Sequence, residues 1–323
     1  MCFHARLIGF VCAAAVPAVI WSAAASAQPS RPITFVNAYA PGSIGDFVGR
    51  AIASDLATTL GQPVIVENRS GGGGAIASAS VAKAPPDGTT LIMTTIGPTV
   101  LRPLIDANLP YDAVADFTPI GLVGEVPNVL ATNPKLNFAN VQDVVTYAKR
   151  NPGRVSIAHA GPGTVAHLLG LLFAAQAGIE ANFVSYRGAA PMVLDLAAGQ
   201  VDFAFPAYGP EARVTKILAV ASNERIDFLP GVPTMKESNF PGVVGSTWYA
   251  VYAPAGVPSD VVARLNGAIN DFLDREEVRK KLAALGFRIL GGSPERLRQQ
   301  MIDDRAKWSE VITSAKITIN PQP

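Results

Sequence analysis

Three glycine-bearing loops hold the residues best suited to bind something. Each follows a β-branched run and opens a stretch of helical length. The first reads Tyr39-Ala40-Pro41-Gly42-Ser43-Ile44-Gly45-Asp46. Its glycines let backbone N–H groups approach a ligand, Asp46 is placed to cap the following helix, and Arg50 stands one turn on. The same string also reads as a plain strand-to-helix turn. The second, Ser70-Gly71-Gly72-Gly73-Gly74-Ala75, fits G-x-G-x-x-A through Gly72, Gly74 and Ala77. A dinucleotide site needs an acidic residue about 20 positions on, at the end of another strand. Asp87 falls instead in the turn Pro85-Pro86-Asp87-Gly88, so a flexible turn is the better reading. The third, Ala158-His159-Ala160-Gly161-Pro162-Gly163-Thr164, repeats the glycine spacing with Gly161, Gly163 and Ala166. Thr164 offers a hydroxyl and an N–H to an oxyanion. His159, at a strand end, either faces the ligand or is packed and hydrogen-bonded, while His167 inside the helix reads as structural. Thr95, just after a strand, joins the ligand-facing candidates.

What unites these loops is anion chemistry. Ligands of open α/β sheets bind beyond the carboxyl ends of the strands, where helix N-termini present free N–H groups and a positive partial charge. Catalytic alternatives are poorly supplied. Past residue 27 the chain has two histidines, His159 and His167, and no cysteine, which disfavours a zinc site. There is no G-x-S-x-G elbow and no G-x-x-x-x-G-K-[ST] loop. Nothing selects a carboxylate pair, so no enzyme, cofactor or metal is expected.

The positioning elements alternate between periods of two and 3.6. Strands are expected at 33–36, 64–66, 91–94, 155–158, 183–185, 201–205, 217–221 and 248–252. Helices are expected at 47–60, 75–83, 141–150, 164–177, 191–198, 259–273, 276–285 and 294–314. In the helix at 47–60, Phe47, Val48, Ala51, Ile52, Leu56 and Leu60 share one face. Such alternation implies parallel sheets covered by helices. Residues 230–245 read as irregular and hinge-like.

Composition sets the setting. Arg6, an apolar run at 7–20 and Ala25-Ser26-Ala27 form a signal peptide, with a mature start expected at Gln28. Cys2 and Cys12 both lie in that segment, which removes thiol and disulfide chemistry from the mature chain. The 26 basic residues nearly balance the 25 acidic ones, so no basic stripe exists to neutralise a phosphate backbone. Nucleic acid is therefore excluded as the expected partner.

Many ordered segments then resemble one family, the Bug-type substrate-binding proteins of tripartite tricarboxylate transporters. They include Arg31-Pro32-Ile33, residues 60–69 (Leu-Gly-Gln-Pro-Val-Ile-Val-Glu-Asn-Arg), the glycine run and residues 82–88. Tyr186-Arg187-Gly188-Ala189-Ala190-Pro191, Gly199-Gln200-Val201-Asp202, Trp248-Tyr249, residues 253–258 and Lys307-Trp308 continue the likeness. The resemblance implies an α/β type II periplasmic binding protein: two lobes with central sheets flanked by helices, joined by a hinge. Lobe I would comprise 28–131 and 232–323, and lobe II 132–231. It implies a monomer in the periplasm that captures a small-molecule carboxylate and delivers it to the membrane components of a tripartite transporter. A carboxylate-sensing receptor serving a membrane kinase is the alternative role. In the family the first loop holds a carboxylate through backbone N–H groups and bridging water.

The expected ligand contacts are Tyr39, Pro41, Gly42, Ser43, Ile44, Asp46, Thr95, His159, Gly161, Gly163, Thr164, Tyr186, Arg187, Pro206 and Tyr208. This sequence departs from the family's pattern at several of them. Its usual Pro-Gly-Gly run is here Pro41-Gly42-Ser43-Ile44-Gly45. The usual Asp after the strand at 201–205 is Pro206, and His159 and Pro162 stand where small or amide residues are common. Tyr39, Tyr208 and Trp248 are expected to supply flat apolar walls, and Ile44 to displace bridging water. Both features favour a larger or aromatic carboxylate over a citrate-like triacid.

Overall fold

The computed structural model describes residues 31–314, so the expected signal segment and mature start lie outside the described residues. The chain opens with β1 (Ile33–Asn37), α1 (Ile44–Leu60), β2 (Val64–Asn68), α2 (Ala75–Val81), β3 (Thr90–Thr95), α3 (Arg102–Ile105) and β4 (Phe117–Pro127). It continues through β5 (Val129–Thr132), α4 (Val141–Arg150), β6 (Val155–His159), α5 (Val165–Ala177), β7 (Ala181–Ser185), α6 (Ala189–Ala198), β8 (Phe203–Ala204) and β9 (Lys216–Val220). It returns with β10 (Ser246–Pro254), α7 (Ser259–Asp274), α8 (Glu276–Ala284), β11 (Arg288–Ile289) and α9 (Pro294–Ser314).

Two sheets organise these elements into a two-lobed α/β fold. The first is six-stranded in the order β11-β4-β10-β3-β1-β2, and the second five-stranded in the order β7-β6-β8-β5-β9. The chain crosses from first to second sheet at Asn128 and returns just before β10. The two crossings lie side by side, with the Asn128 N–H donating to Gly245 O at 3.3 Å and the Thr247 hydroxyl to Asn128 Oδ1 at 2.8 Å. The expectation of parallel sheets is corrected. β1, β2 and β3 pair in parallel, but β10 runs antiparallel to β3 and β4, and β5 antiparallel to β8 and β9. A strand that enters its sheet from the other one need not share the direction set by the local β-α-β crossovers.

Local chemistry sets the helix ends. α1 starts three residues earlier than its apolar pattern, because Ser43 is the N-cap and accepts the Asp46 N–H at 3.2 Å. Asp46 is therefore not the cap. Gly61 ends the helix at φ 62°, returning its N–H to Ala57 and Thr58. α5 is built the same way between Thr164 and Gly178. Val48, Ile52 and Leu56 face the core as expected, whereas Phe47 is 45% exposed.

α9 joins the two halves. Its Trp308 and Leu297 belong to an apolar cluster that includes Val36 and Ile92 of the first sheet and Leu130 and Phe203 of the second. Asp304 accepts from the indole N–H of buried Trp248 at 2.7 Å and from Gln300 at 2.7 Å. No described helix is long and apolar enough to cross a membrane.

Candidate functional site

A cleft enclosing about 750 Å³ of empty space, part of it open to solvent, lies between loops of the two sheets. Its walls come from the carboxyl ends of β1, β2 and β3 on one side and of β6, β7 and β8 on the other. That is the position at which open α/β sheets bind ligands.

The helices that start there supply the electrostatics. α1, α5 and α6 all begin at the cleft, and Gly45, Val165, Ala166 and Ala189 of their first turns line it. Among the described residues no acceptor takes the N–H of any of these four. Each such terminus carries a positive partial charge of roughly half an electron. Among the described residues no lysine or arginine lines the cleft. The remaining wall is apolar and aromatic. Tyr39 and Tyr249 meet with ring centroids 5.4 Å apart at 54°, beside Ile44, Met192 and Pro206. Burial pushes both phenols well above their ordinary range, so they remain neutral.

Of the residues expected to touch ligand, Tyr39, Ser43, Ile44, Thr95, Thr164 and Pro206 line the cleft. Two of these have committed hydroxyls. Ser43 Oγ donates to Ala40 O at 2.9 Å, and Thr164 Oγ1 donates to Gly161 O at 2.8 Å while accepting the His167 N–H. The role expected of the Thr164 hydroxyl, facing an anion, is thus corrected to helix capping.

The other candidates stand behind the wall or outside it. Asp46 is buried, accepting from Asn37 Nδ2, Asn68 Nδ2, Gly42 N and Arg50 Nε at 2.7–3.2 Å. It shapes the first loop without lining the cleft, as do exposed Pro41 and Gly42. Tyr186 donates its hydroxyl to Asp195 at 2.8 Å, and Arg187 is exposed. Tyr208 stacks on Phe228 at 5.1 Å, and Trp248 is buried against Asp304, so neither forms the apolar wall expected of it. Their place is taken by Tyr249.

The glycines of the second and third loops have a steric purpose. A Cβ on Gly161 would lie 2.4 Å from Gly73 N, and one on Gly73 would lie 2.5 Å from Pro162 O. The two loops thus touch backbone to backbone across the cleft, and Arg102 Nη1 ties them by donating to Gly72 O and Pro162 O. Gly73 and Gly161 also sit at φ 65° and 122°, where a side chain is strained.

His159 and His167 stack behind the third loop, centroids 4.1 Å apart. The Gly163 N–H donates to His167 Nδ1 at 3.3 Å, so the ring is neutral with its proton on Nε2. Burial, then the His159 and Arg102 charges, push His167 down to about 3, and burial also lowers His159. An unfolded histidine protonates below about 6.5 while these rings stay neutral. Between those values the unfolded state binds more protons, so stability falls as pH falls. Urea unfolding at pH 7.5 and pH 5 should differ by about 2 kcal/mol from His167 alone. His167→Gln should flatten that dependence, and an unaltered slope in the variant would refute it.

Sequence reasoning missed several lining residues, chief among them Glu211, Thr94, Asn128, Tyr249 and the N–H groups of Val165 and Ala166. Glu211 follows β8 in a short turn with no periodic signal. The helix N-termini were legible as a class, but not which of them converge.

Known proteins share this architecture. Residues 48–317 match the family described as tripartite tricarboxylate transporter family receptor. Protein BugT of Bordetella pertussis is 34% identical over 316 residues, spanning 95% of this chain and 96% of that one. The R. palustris protein Rpa4515, solved with adipate, is similar with a TM-score of 0.85 at 33% identity, covering 90% of this chain and 99% of that one. MatC (Rpa3494) from Rhodopseudomonas palustris, solved with bound malate, gives a TM-score of 0.84 at 32% identity, covering 88% and 100%.

Proposed function

Because the chain belongs to the tripartite tricarboxylate transporter receptor family, we propose that it captures a small organic carboxylate in the periplasm for a tripartite tricarboxylate-type transporter. Like its family and structural neighbours, it is a substrate-binding protein and not an enzyme. The observation that carries the carboxylate reading is the meeting of the α5 and α6 N-termini, whose Val165, Ala166 and Ala189 N–H groups are unbonded, in a cleft that no described lysine or arginine lines. Such termini favour an anion without a formal countercharge. The adipate and malate held by two relatives are carboxylates of the right class.

The finer reading has a monomer exported by residues 1–27. Its lobes, 28–131 with 232–323 and 132–231, close on the ligand about the paired crossings. The tilted Tyr39 and Tyr249 rings and Ile44 favour a ligand with an apolar or aromatic body.

Mass spectrometry of ligand released from the purified protein should find a carboxylate, returned chemically unchanged. A thermal-shift panel of carboxylates should include one that stabilises the fold by about 2.7 kcal/mol at 100 times its Kd. A panel in which no carboxylate stabilises the protein, while an amine or sugar does, would displace this reading.

A further inference from the structure

One polar side chain in the cleft does not suit a site built for anions alone. Glu211 follows β8 and reaches over to the first loop, where its Oε1 accepts the N–H of Ile44, 167 residues away, at 3.1 Å. Ile44 is the first residue of α1, so a carboxylate of the protein's own already holds that helix N-terminus. The second oxygen, Oε2, is buried and has no hydrogen-bond partner among the described residues. Gly209 makes room for this reach, since a Cβ there would lie 2.7 Å from Oε2.

No cation neutralises the group. Among the described residues no ion pair includes Glu211. Arg213, two residues on, lies over the Tyr208 ring at 5.5 Å and donates to Ala284 O at 2.7 Å. Burial pushes the Glu211 carboxyl up from its ordinary value, against the backbone N–H groups that hold it down.

The cleft therefore carries both signs. The free N–H groups of Gly45, Val165, Ala166 and Ala189 attract an anion, while Glu211 Oε2 stands as an acceptor without its donor. A carboxylate oxygen buried without a partner is costly, and a donor or cation that meets it removes the cost. We propose that Glu211 is a specificity-determining residue that selects carboxylates bearing an ammonium group at their other end and rejects diacids. This rests on the carboxylate reading above and sharpens it. A diacid held by these N–H groups would bring a second carboxylate into the same cleft as Glu211, where like charges repel in a partly dry site. An amino acid of the same length would bring three donors.

The test is calorimetric titration at pH 7.4 of the wild type and Glu211→Gln with size-matched probes. The pairs are adipate with 6-aminohexanoate, succinate with 4-aminobutanoate, and terephthalate with 4-(aminomethyl)benzoate. The glutamine keeps the shape and an acceptor for the Ile44 N–H but removes the charge. In each pair that binds, the wild type should favour the amino member at least tenfold, and Glu211→Gln should shift that ratio at least tenfold toward the diacid. A wild-type preference for the diacid overturns the proposal, as does a ratio that Glu211→Gln leaves unchanged. If the variant does not fold, the wild-type ratio alone decides. Binding with the wrong ratio removes only the role of Glu211. Failure of every probe to bind removes the carboxylate reading, and this proposal with it.

Discussion

Replacing Trp308 by alanine should lower the unfolding free energy by about 3–5 kcal/mol, the largest loss expected from a single side chain here. Trp308 is 2% exposed and sits on α9 against the seam between the two sheets. Its ring edge lies 3.3 Å from where a Cβ on Gly245 would be, and Val165 and Leu169 of α5 border the same spot. Truncation therefore removes a large apolar surface and leaves a cavity that three rigid elements cannot collapse into. Urea denaturation should show the midpoint falling at a nearly unchanged slope. Trp308→Phe should recover more than half of the loss, because most of the apolar volume returns. A loss under 1 kcal/mol for the alanine variant would mean that α9 does not seal this seam.

Asp46→Ala should be the most damaging change in the cleft's supporting structure, at about 2–4 kcal/mol. Its carboxylate gathers donors from β1 (Asn37), the first loop (Gly42), β2 (Asn68) and α1 (Arg50). Alanine takes an acceptor away from the Gly42 N–H and from two amides, leaving Asn68 only Tyr39 O at 3.1 Å and Asn37 only a long contact to Gly45 O at 3.5 Å. Arg50 is half exposed, so its share is small and screened. Burial raises the Asp46 carboxyl, but the Asn68, Gly42 and Arg50 hydrogen bonds and the Arg50 charge outweigh it and bring the value below the usual range. The group is therefore stabilising at neutral pH, and its contribution disappears as pH falls through the lowered value. The gap between wild type and Asp46→Ala should be full at pH 7 and narrow only below about pH 4. A gap of under 0.5 kcal/mol at pH 7, measured by chemical denaturation, would show that the first loop holds its shape by other means.

Much of the fold was legible because its elements are locally consistent. α4 and α9 fall at 141–150 and 294–314 as the periodicity requires, and most strand runs are found within two residues. The long strand β4 was not legible, and its residues explain why. Pro119, Gly121 and Gly124 interrupt the β-branched pattern. A Cβ on Gly124 would meet Phe287 at 2.2 Å, and one on Gly121 would meet Asn266 at 2.8 Å. Those glycines answer to partners more than 140 positions away, which no local window contains. The strand expected at 201–205 shortens to Phe203–Ala204 because Val201 and Asp202 make no ladder pairs and the Asp202 carboxylate instead takes the Ser156 N–H and hydroxyl.

The cleft was legible to the same degree. Loops one and three were identified from their glycines and from their place between a strand and a helix, and both lie on it. Asp46, His159 and Tyr208 were not separable from ligand contacts, because a polar residue that braces a loop and one that faces the ligand look alike in sequence. Glu211 left no trace, since its importance comes from a hydrogen bond closed over 167 residues.

The placement of β10 between β3 and β4 also fixes an order of assembly. The second sheet is drawn from one contiguous stretch, β5 to β9, and its pairings can form as soon as that stretch exists. The first sheet is different: Ser246 of β10 bonds to Glu125 of β4 across 121 residues. Until β10 arrives, β3 and β4 present unpaired edges, and α9 has no finished seam to cover. Closing so long a loop is slow unless its interior has already become compact. The nascent chain is therefore most exposed to aggregation after β4 and before β10, and a folded second lobe shortens that interval by bringing Gly245 beside Asn128.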